Sequence, residues 1–286
     1  MALDYQLIKN WAFEDIHHSY TEKDVILYAL GLGLGQDPVD ENQLRFVYEK
    51  DLKVFPTMGA VLGYPGFWMK DPRAGINWVK IVHGEQRMRL HKPFPAGGAV
   101  VAKLKVSHVI DKGADKGALV IVERQIFDAS DDSLLATIAQ TNFCRADGGF
   151  GVSDPAPEAL PKVPDRAPDR RCELPILPQA ALLYRLNGDF NPLHADPEVA
   201  KQAGYPKPIL HGLCTYGMAG RGVLQAYADN DPVRLTRFDT RFSAPVYPGE
   251  TLVVEMWDGE DGYVQFQARV RERDIVVLSN GVAHIA

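Results

Sequence analysis

The stretch "RFSAPVYPGETLVVEMWD", residues 241–258, sets the architecture. A short run of strand-forming character meets a Pro-Gly turn at 248–249, and a β-branched, alternating run follows. The same design occurs once before, in "RLHKPFPAGGAVVAKLKV" at 89–106. Two further parallels keep the same order. "DVILYALGLG" (24–33) rhymes with "AALLYRLNGD" (180–189), placing Tyr28 opposite Tyr184, and "PTMG" (56–59) rhymes with "ILHG" (209–212). β-rich runs close each half: 118–128 and 134–145 in the first, 263–273 and 275–285 in the second. Each half therefore reads as helix first, then a four-strand antiparallel meander, and internal duplication is the simplest account.

Between the halves, residues 145–178 are Pro-rich, polar and poor in aromatics, which predicts an extended linker. The expected division is 1–144, a linker at 145–178, and 179–286. In the second half, "GLCTYGMAGRGVLQAYA" (212–228) is long enough for a buried helix, and its glycines suit close approach to a sheet. A shorter helix is expected after Asp196, with Pro197 at its first position and Gly204 at its end.

Composition bounds the function. The chain has 286 residues, 46% of them hydrophobic, ample for a sizeable core. A net charge of −6 argues against nucleic acid or an anionic membrane surface as the main partner. Cys144, Cys172 and Cys214 are odd in number and far apart, so neither a disulfide framework nor a zinc site is expected. The first residues lack a signal-peptide pattern, the last, "GVAHIA", are not an SKL-type address, and no apolar run approaches membrane-spanning length. The expected location is the cytoplasm.

The chemistry concentrates in "YRLNGDFNPLHADPEVAKQAGYPKPILHG" (184–212). Within six residues it sets Asp189, Asn191 and His194 around a chain break at Gly188 and a rigid Asn191-Pro192 turn. A carboxylate and a histidine held in one turn can share a water, because one can accept a proton and the other donate it. Taken singly, Asp189 could cap a helix and His194 could be a satisfied core residue; their joint spacing favours catalysis. Gly212 opens the long helix, where free N–H groups and the positive dipole end make a physical oxyanion hole. His211 reads as structural. No histidine pair shows metal-ligand spacing, and "GLGLG" (31–35) lacks the spacing of a phosphate loop.

These residues resemble the signature of the MaoC-like (R)-specific enoyl-CoA hydratases, the hydratase 2 family in its two-repeat form. The pattern is met at Tyr184, Gly188, Asp189, Asn191, Pro192, Leu193 and His194. Asn187 departs mildly from the usual Ser. "HGEQ" (83–86) and the overall layout resemble the same family, so the likeness covers nearly the whole chain. The resemblance implies an α+β double hot-dog fold, with each half an antiparallel sheet wrapped around a central helix. It implies reversible hydration of trans-2-enoyl-CoA to (3R)-3-hydroxyacyl-CoA in fatty-acyl or related metabolism. Asp189 and His194 would be the catalytic pair, Gly212 the oxyanion hole, and His83, Gly84, Lys112, Asn191 and Phe242 substrate contacts. No cofactor beyond the CoA of the substrate and no metal is implied, and a homodimer is expected. By the repeat, Gly33 and Pro38 stand opposite Asp189 and His194. The first half would thus lack the chemistry, and low bulk near 31–35 would accommodate the acyl chain. The competing readings are a hot-dog acyl-CoA thioesterase and a non-catalytic acyl-CoA-binding module.

Overall fold

A computed structural model of the chain describes residues 3–286. Ten strands form one sheet: β1 Ile16–Tyr20, β2 Ile81–Leu90, β3 Gly98–Asp111, β4 Ala118–Asp128, β5 Leu134–Cys144, β6 Arg170–Pro175, β7 Leu235–Phe242, β8 Thr251–Asp258, β9 Tyr263–Val270 and β10 Ile275–Ile285. Their order is β1-β3-β4-β5-β2-β7-β10-β9-β8-β6. The two halves repeat each other strand for strand and meet where β2 pairs antiparallel with β7, Glu85 opposite Arg241. Among the described residues six α-helices accompany the sheet: α1 Tyr5–Lys9, α2 Glu22–Gly31, α3 Glu41–Leu44, α4 Ala180–Tyr184, α5 Pro197–Gln202 and α6 Gly212–Tyr227. Asp196 caps α5 as expected, accepting from Glu198 N, with Pro197 at its first position.

Four expectations need correction. The strands are not simple meanders: β8, β9 and β10 are hairpin neighbours, but β7 lies beyond β10, and β2 lies likewise beyond β5. The Pro-Gly segment is a crossing rather than a hairpin. It is pinned where Leu210 N donates to the carbonyl of Val246 at 2.7 Å.

Second, the expected linker ends in a strand. Arg170–Pro175 pairs with β8 as the sheet's outer strand, the counterpart of β1. Upstream of β6, side chains of the sheet hold the linker: Gln265 donates to the carbonyl of Lys162 and Asn280 to that of Leu160, a buried residue. Alternation over only six residues, two of them arginine, hid this strand among the prolines.

Third, the two halves differ in their central helix. In the second half α6 lies across the sheet with every residue from Cys214 to Leu224 buried. A Cβ at Gly217 would come within 2.6 Å of Leu32, and one at Gly222 within 3.0 Å of Val254. Three interior glycines cost a helix about 3 kcal/mol relative to alanine. Full burial of Met218, Val223 and Leu224 alone offsets this, at roughly 1.5–3 kcal/mol each. In the first half the matching segment forms only a 3-10 turn, Pro56–Ala60, followed by short turns at Trp68–Lys70, Pro72–Ala74 and Trp78–Lys80. Gly63, Pro65, Gly66, Pro72 and Gly75 are too dense for a helix to persist.

Tyr28 and Tyr184, the matched pair of the repeat, are both fully buried with ring centroids 5.9 Å apart. Fourth, the low-bulk segment 31–35 does not face an acyl channel. Gly31 through Leu34 are buried, and the carbonyl of Gly33 accepts from Arg221 at 2.6 Å. Gly33 has φ +78, and a side chain there would meet Gln36 and Arg221.

Candidate functional site

Helix α4 ends in a 3-10 turn, Arg185–Asn187, and Gly188 reverses the chain at φ +107, a conformation glycine takes without strain. This turn brings Asp189 out of the fold as an exposed side chain. Asn191 then fixes the adjoining turn. Its side-chain oxygen accepts from Leu193 N at 3.1 Å, capping the 3-10 turn Pro192–His194, and its backbone N–H donates to Asp189 Oδ1 at 3.2 Å. Asn191 thus orients the Asp189 carboxylate through the main chain.

His194 is buried, and its Nδ1 lies 2.8 Å from the carbonyl of Ile209. A carbonyl only accepts, so Nδ1 carries the proton, and the neutral ring keeps its lone pair on Nε2. Burial lowers the His194 pKa below the ordinary value, against the Ile209 hydrogen bond and the charge of Asp189. The ring is therefore a neutral base near pH 7.

His211 stacks on His194, centroids 3.7 Å apart and 26° between planes. Its Nε2 donates to the backbone carbonyl of Asp189 at 3.2 Å, while its buried Nδ1 has no hydrogen-bond partner among the described residues. Burial first, then the neighbouring His194, lower its pKa to about 4. One donor atom each of Asp189, His194 and His211 lies within 4.8 Å of the others. His211 is the residue at this site that sequence reasoning underweighted. It ties the Asp189 loop to the start of α6, which accords with a structural role, yet it also walls the carboxylate–histidine pair.

His211 is the N-cap of α6, and the first main-chain bonds of that helix run from Cys214 and Thr215 back to His211. The N–H of Gly212 is left without an acceptor among the described residues, at the positive end of a sixteen-residue helix. Gly212 is exposed, and the Phe242 ring passes 3.3 Å from where its Cβ would stand. Phe242, at the end of β7, packs in turn against His83 of β2, centroids 4.5 Å apart and the rings tilted by 53°. The site thus sits where the two halves join. The charge of Asp189 is felt at His83 and at Tyr64, while burial holds His83 down at about 4.

Asp189, Asn191, His194, Gly212, Phe242 and His83 are therefore brought together. Gly84 lies at an irregularity of β2 opposite β5, with the carbonyl of Thr141 3.4 Å from its Cβ position, so it serves close strand packing. Lys112 stands apart in the exposed turn between β3 and β4. Register places it at the same end of the sheet as His83: Asp111 pairs with Ala118, Ala118 with Cys144 and Cys144 with Ile81. Three strand spacings separate them, roughly 14 Å.

The depressed histidines make a stability prediction. The unfolded chain protonates histidine near pH 6.5, and the folded chain protonates these residues only at lower pH. Stability is therefore complete above about pH 6.5 and is lost as pH falls toward about 4, where the loss levels off. His211 alone accounts for up to about 3 kcal/mol. Urea unfolding from pH 7.5 to 4.5 reads the slope, and His211→Gln is expected to flatten it. An unchanged slope in that variant contradicts the assignment.

A continuous sheet, one full central helix and a carboxylate–histidine pair facing a helix N-terminus define a double hot-dog enzyme-type site. Comparison with known proteins gives the family. Residues 160–280 match the MaoC like domain and residues 18–146 the MFE-2 hydratase 2 N-terminal domain. The chain belongs to the MaoC-like hydratase 2 family in its two-repeat form. It is 39% identical over 296 residues to a probable enoyl-CoA hydratase 2 of Dictyostelium discoideum, covering 100% of this chain and 97% of that one. It is 38% identical to the peroxisomal enoyl-CoA hydratase 2 of Arabidopsis thaliana, over 94% and 91% of the two chains. The crystal structure of a MaoC-like dehydratase from Phytophthora capsici superposes with a TM-score of 0.87 at 34% identity, over 99% of both chains.

Proposed function

We infer that the chain catalyses the reversible hydration of trans-2-enoyl-CoA to (3R)-3-hydroxyacyl-CoA. The observation that carries this reading is the Asp189 carboxylate set within 4.8 Å of ring nitrogens of His194 and His211, beside the start of α6, where the free N–H of Gly212 follows His211. Water between Asp189 and His194 meets two acceptors. Its oxygen attacks the β-carbon of the enoyl thioester as one of them takes its proton. Charge moves onto the thioester oxygen, where the Gly212 N–H and the α6 dipole stabilise it. The proton then passes to the α-carbon. His194 brings no proton on Nε2, so the proton delivered is the one taken from water, and both sites return to their starting state. Asn191 and His211 hold Asp189 in place through its carboxylate and its carbonyl.

Lys112 is suited to a CoA phosphate as a point charge, roughly 14 Å across the sheet from the His83 end of the site. Gly33 and Pro38 bear no ionisable side chain, so one chain has one site. No cofactor beyond the substrate's CoA is needed. A homodimer fits the exposed Leu182, Leu186 and Phe190 beside the site, and sedimentation tests it. A cytoplasmic location fits three free cysteines. No helix among the described residues is long and apolar enough to cross a membrane.

Loss of the enoyl absorbance of crotonyl-CoA, coupled to an (R)-specific 3-hydroxyacyl-CoA dehydrogenase, tests the reading. Product oxidised only by an (S)-specific enzyme, or no turnover, ends it. Thiol release from saturated acyl-CoA would point to a thioesterase instead. The Asp189, His194 and His211 constellation also has the ligand types of a divalent-metal site. The water-activating mechanism uses no metal, so dialysis against a chelator is expected to leave turnover unchanged. Loss restored by zinc would establish the metal reading.

A further inference from the structure

Where the first half has turns in place of a central helix, a narrow open cleft lies between residues 64–69 and the sheet. Its floor is read from register. Ile138, Gln140 and Asn142 alternate along one face of β5. Asn142 is the strand partner of His83, and Ile138 is the partner of both Met88 and Arg124. The cleft thus starts beside the proposed site and runs four residues outward, roughly 13 Å. Met69, Leu104 and Val122 make much of its wall apolar, as an acyl chain requires.

Arg124 breaks that pattern. It lines the cleft and is only 5% exposed. One terminal nitrogen, Nη2, donates to the carbonyls of Ala60 at 2.6 Å and Gly59 at 3.3 Å. Those bonds hold the guanidinium still against the Pro56–Ala60 turn. Its buried Nε has no hydrogen-bond partner among the described residues, and no carboxylate there forms an ion pair with it. Its neighbours offset this burial only in part: His18, on β1, is disfavoured as a cation by it, and the Tyr64 ring, its centroid 6.0 Å from the guanidinium carbon, opposes the effect of burial. Burial depresses its pKa to about 10, the mark of a cation without a counter-charge. A buried unpaired guanidinium is costly, and an apolar side chain would line an acyl pocket more cheaply. Gln140 and Asn142 add further polar groups on the same face.

We propose that this cleft selects acyl chains ending in a carboxylate, which the Arg124 guanidinium binds. The substrate class is then medium-chain ω-carboxy-2-enoyl-CoA: an apolar stem along Leu104, Val122 and Ile138, and an anionic end at Arg124. A carboxylate supplies both the missing charge and acceptors for the unused N–H groups, and guanidinium–carboxylate pairs are strong and directional. This proposal rests on the hydratase reading and narrows its substrate.

The test compares kcat/KM of the wild-type chain on trans-2-decenoyl-CoA, its ω-carboxy counterpart, and the methyl ester of that counterpart. The ester keeps the length and shape but removes the charge. The carboxylate substrate is expected to exceed both others by about tenfold or more. Equal rates, or a preference for the methyl-terminated chain, overturn the proposal. Arg124→Gln is expected to bring the carboxylate-to-ester ratio close to one, and Arg124→Lys to keep part of it; a ratio unchanged in Arg124→Gln also overturns it. If Arg124→Gln does not fold, the wild-type ester comparison decides alone. Crotonyl-CoA separates the two levels: no turnover of it removes the hydratase reading, whereas turnover with no carboxylate preference removes only this proposal.

Discussion

Asp189→Asn and His194→Gln are each expected to lower kcat for enoyl-CoA hydration by roughly two to four decades, the range for a lost acid–base group. Both variants should fold. Asp189 is exposed, and among the described residues its carboxylate accepts only from Asn191 N, a bond an amide oxygen can still accept. Glutamine at 194 can keep a donor toward the Ile209 carbonyl but has no titrating nitrogen. The double variant is the sharper measurement. If the two side chains share one water, removing the second after the first costs little, and the combined loss falls well short of the product of the single losses. Multiplicative losses would mean that the groups act on different steps. Near-normal turnover in either single variant would remove that residue from the chemistry.

The legibility of this chain followed the reach of each signal. The duplication was readable because β-strand alternation and Pro-Gly turns are local, and Asp189-x-Asn191-x-x-His194 was readable because one turn contains it. Strand order was not: nothing local tells β7 to pair with β2 and β10 rather than with β8. Strand β6 was hidden by the surrounding prolines and by the fact that an outer strand needs apolar residues on one face only, here Cys172 and Leu174. The absent helix of the first half was announced by Gly63, Pro65 and Gly66, but the rhyme of "PTMG" with "ILHG" outweighed them. His211 and Arg124 depend on contacts across 22 and 64 residues, with the Asp189 and Ala60 carbonyls, which no spacing rule reaches. The low-bulk segment near Gly33 misled because small residues there serve Arg221 and a turn rather than a ligand.

The oxyanion assignment rests on one N–H, and the fold permits its removal with little else disturbed. Gly212 is the first residue of α6, the position at which a helix tolerates proline because the N–H there has no intrahelical acceptor. The residue before a proline must be extended, and His211 already has φ −58 and ψ 136. Gly212→Pro therefore deletes the donor while keeping the helix. Its Cβ would stand 3.3 Å from the edge of the Phe242 ring, a tight contact met by a small ring shift. Gly212→Ala places the same Cβ against the same ring and retains the N–H, so it isolates the steric part. Losing one oxyanion donor costs roughly two to three decades in kcat. The expected result is a loss of that size in Gly212→Pro, little change in KM, and a much smaller loss in Gly212→Ala at matched thermal stability. Because the interaction strengthens only as charge reaches the thioester oxygen, the proline variant should still bind a saturated acyl-CoA almost as tightly as the wild type. Equal losses in the two variants would show that Gly212 serves packing against Phe242, and the oxyanion would have to be stabilised elsewhere.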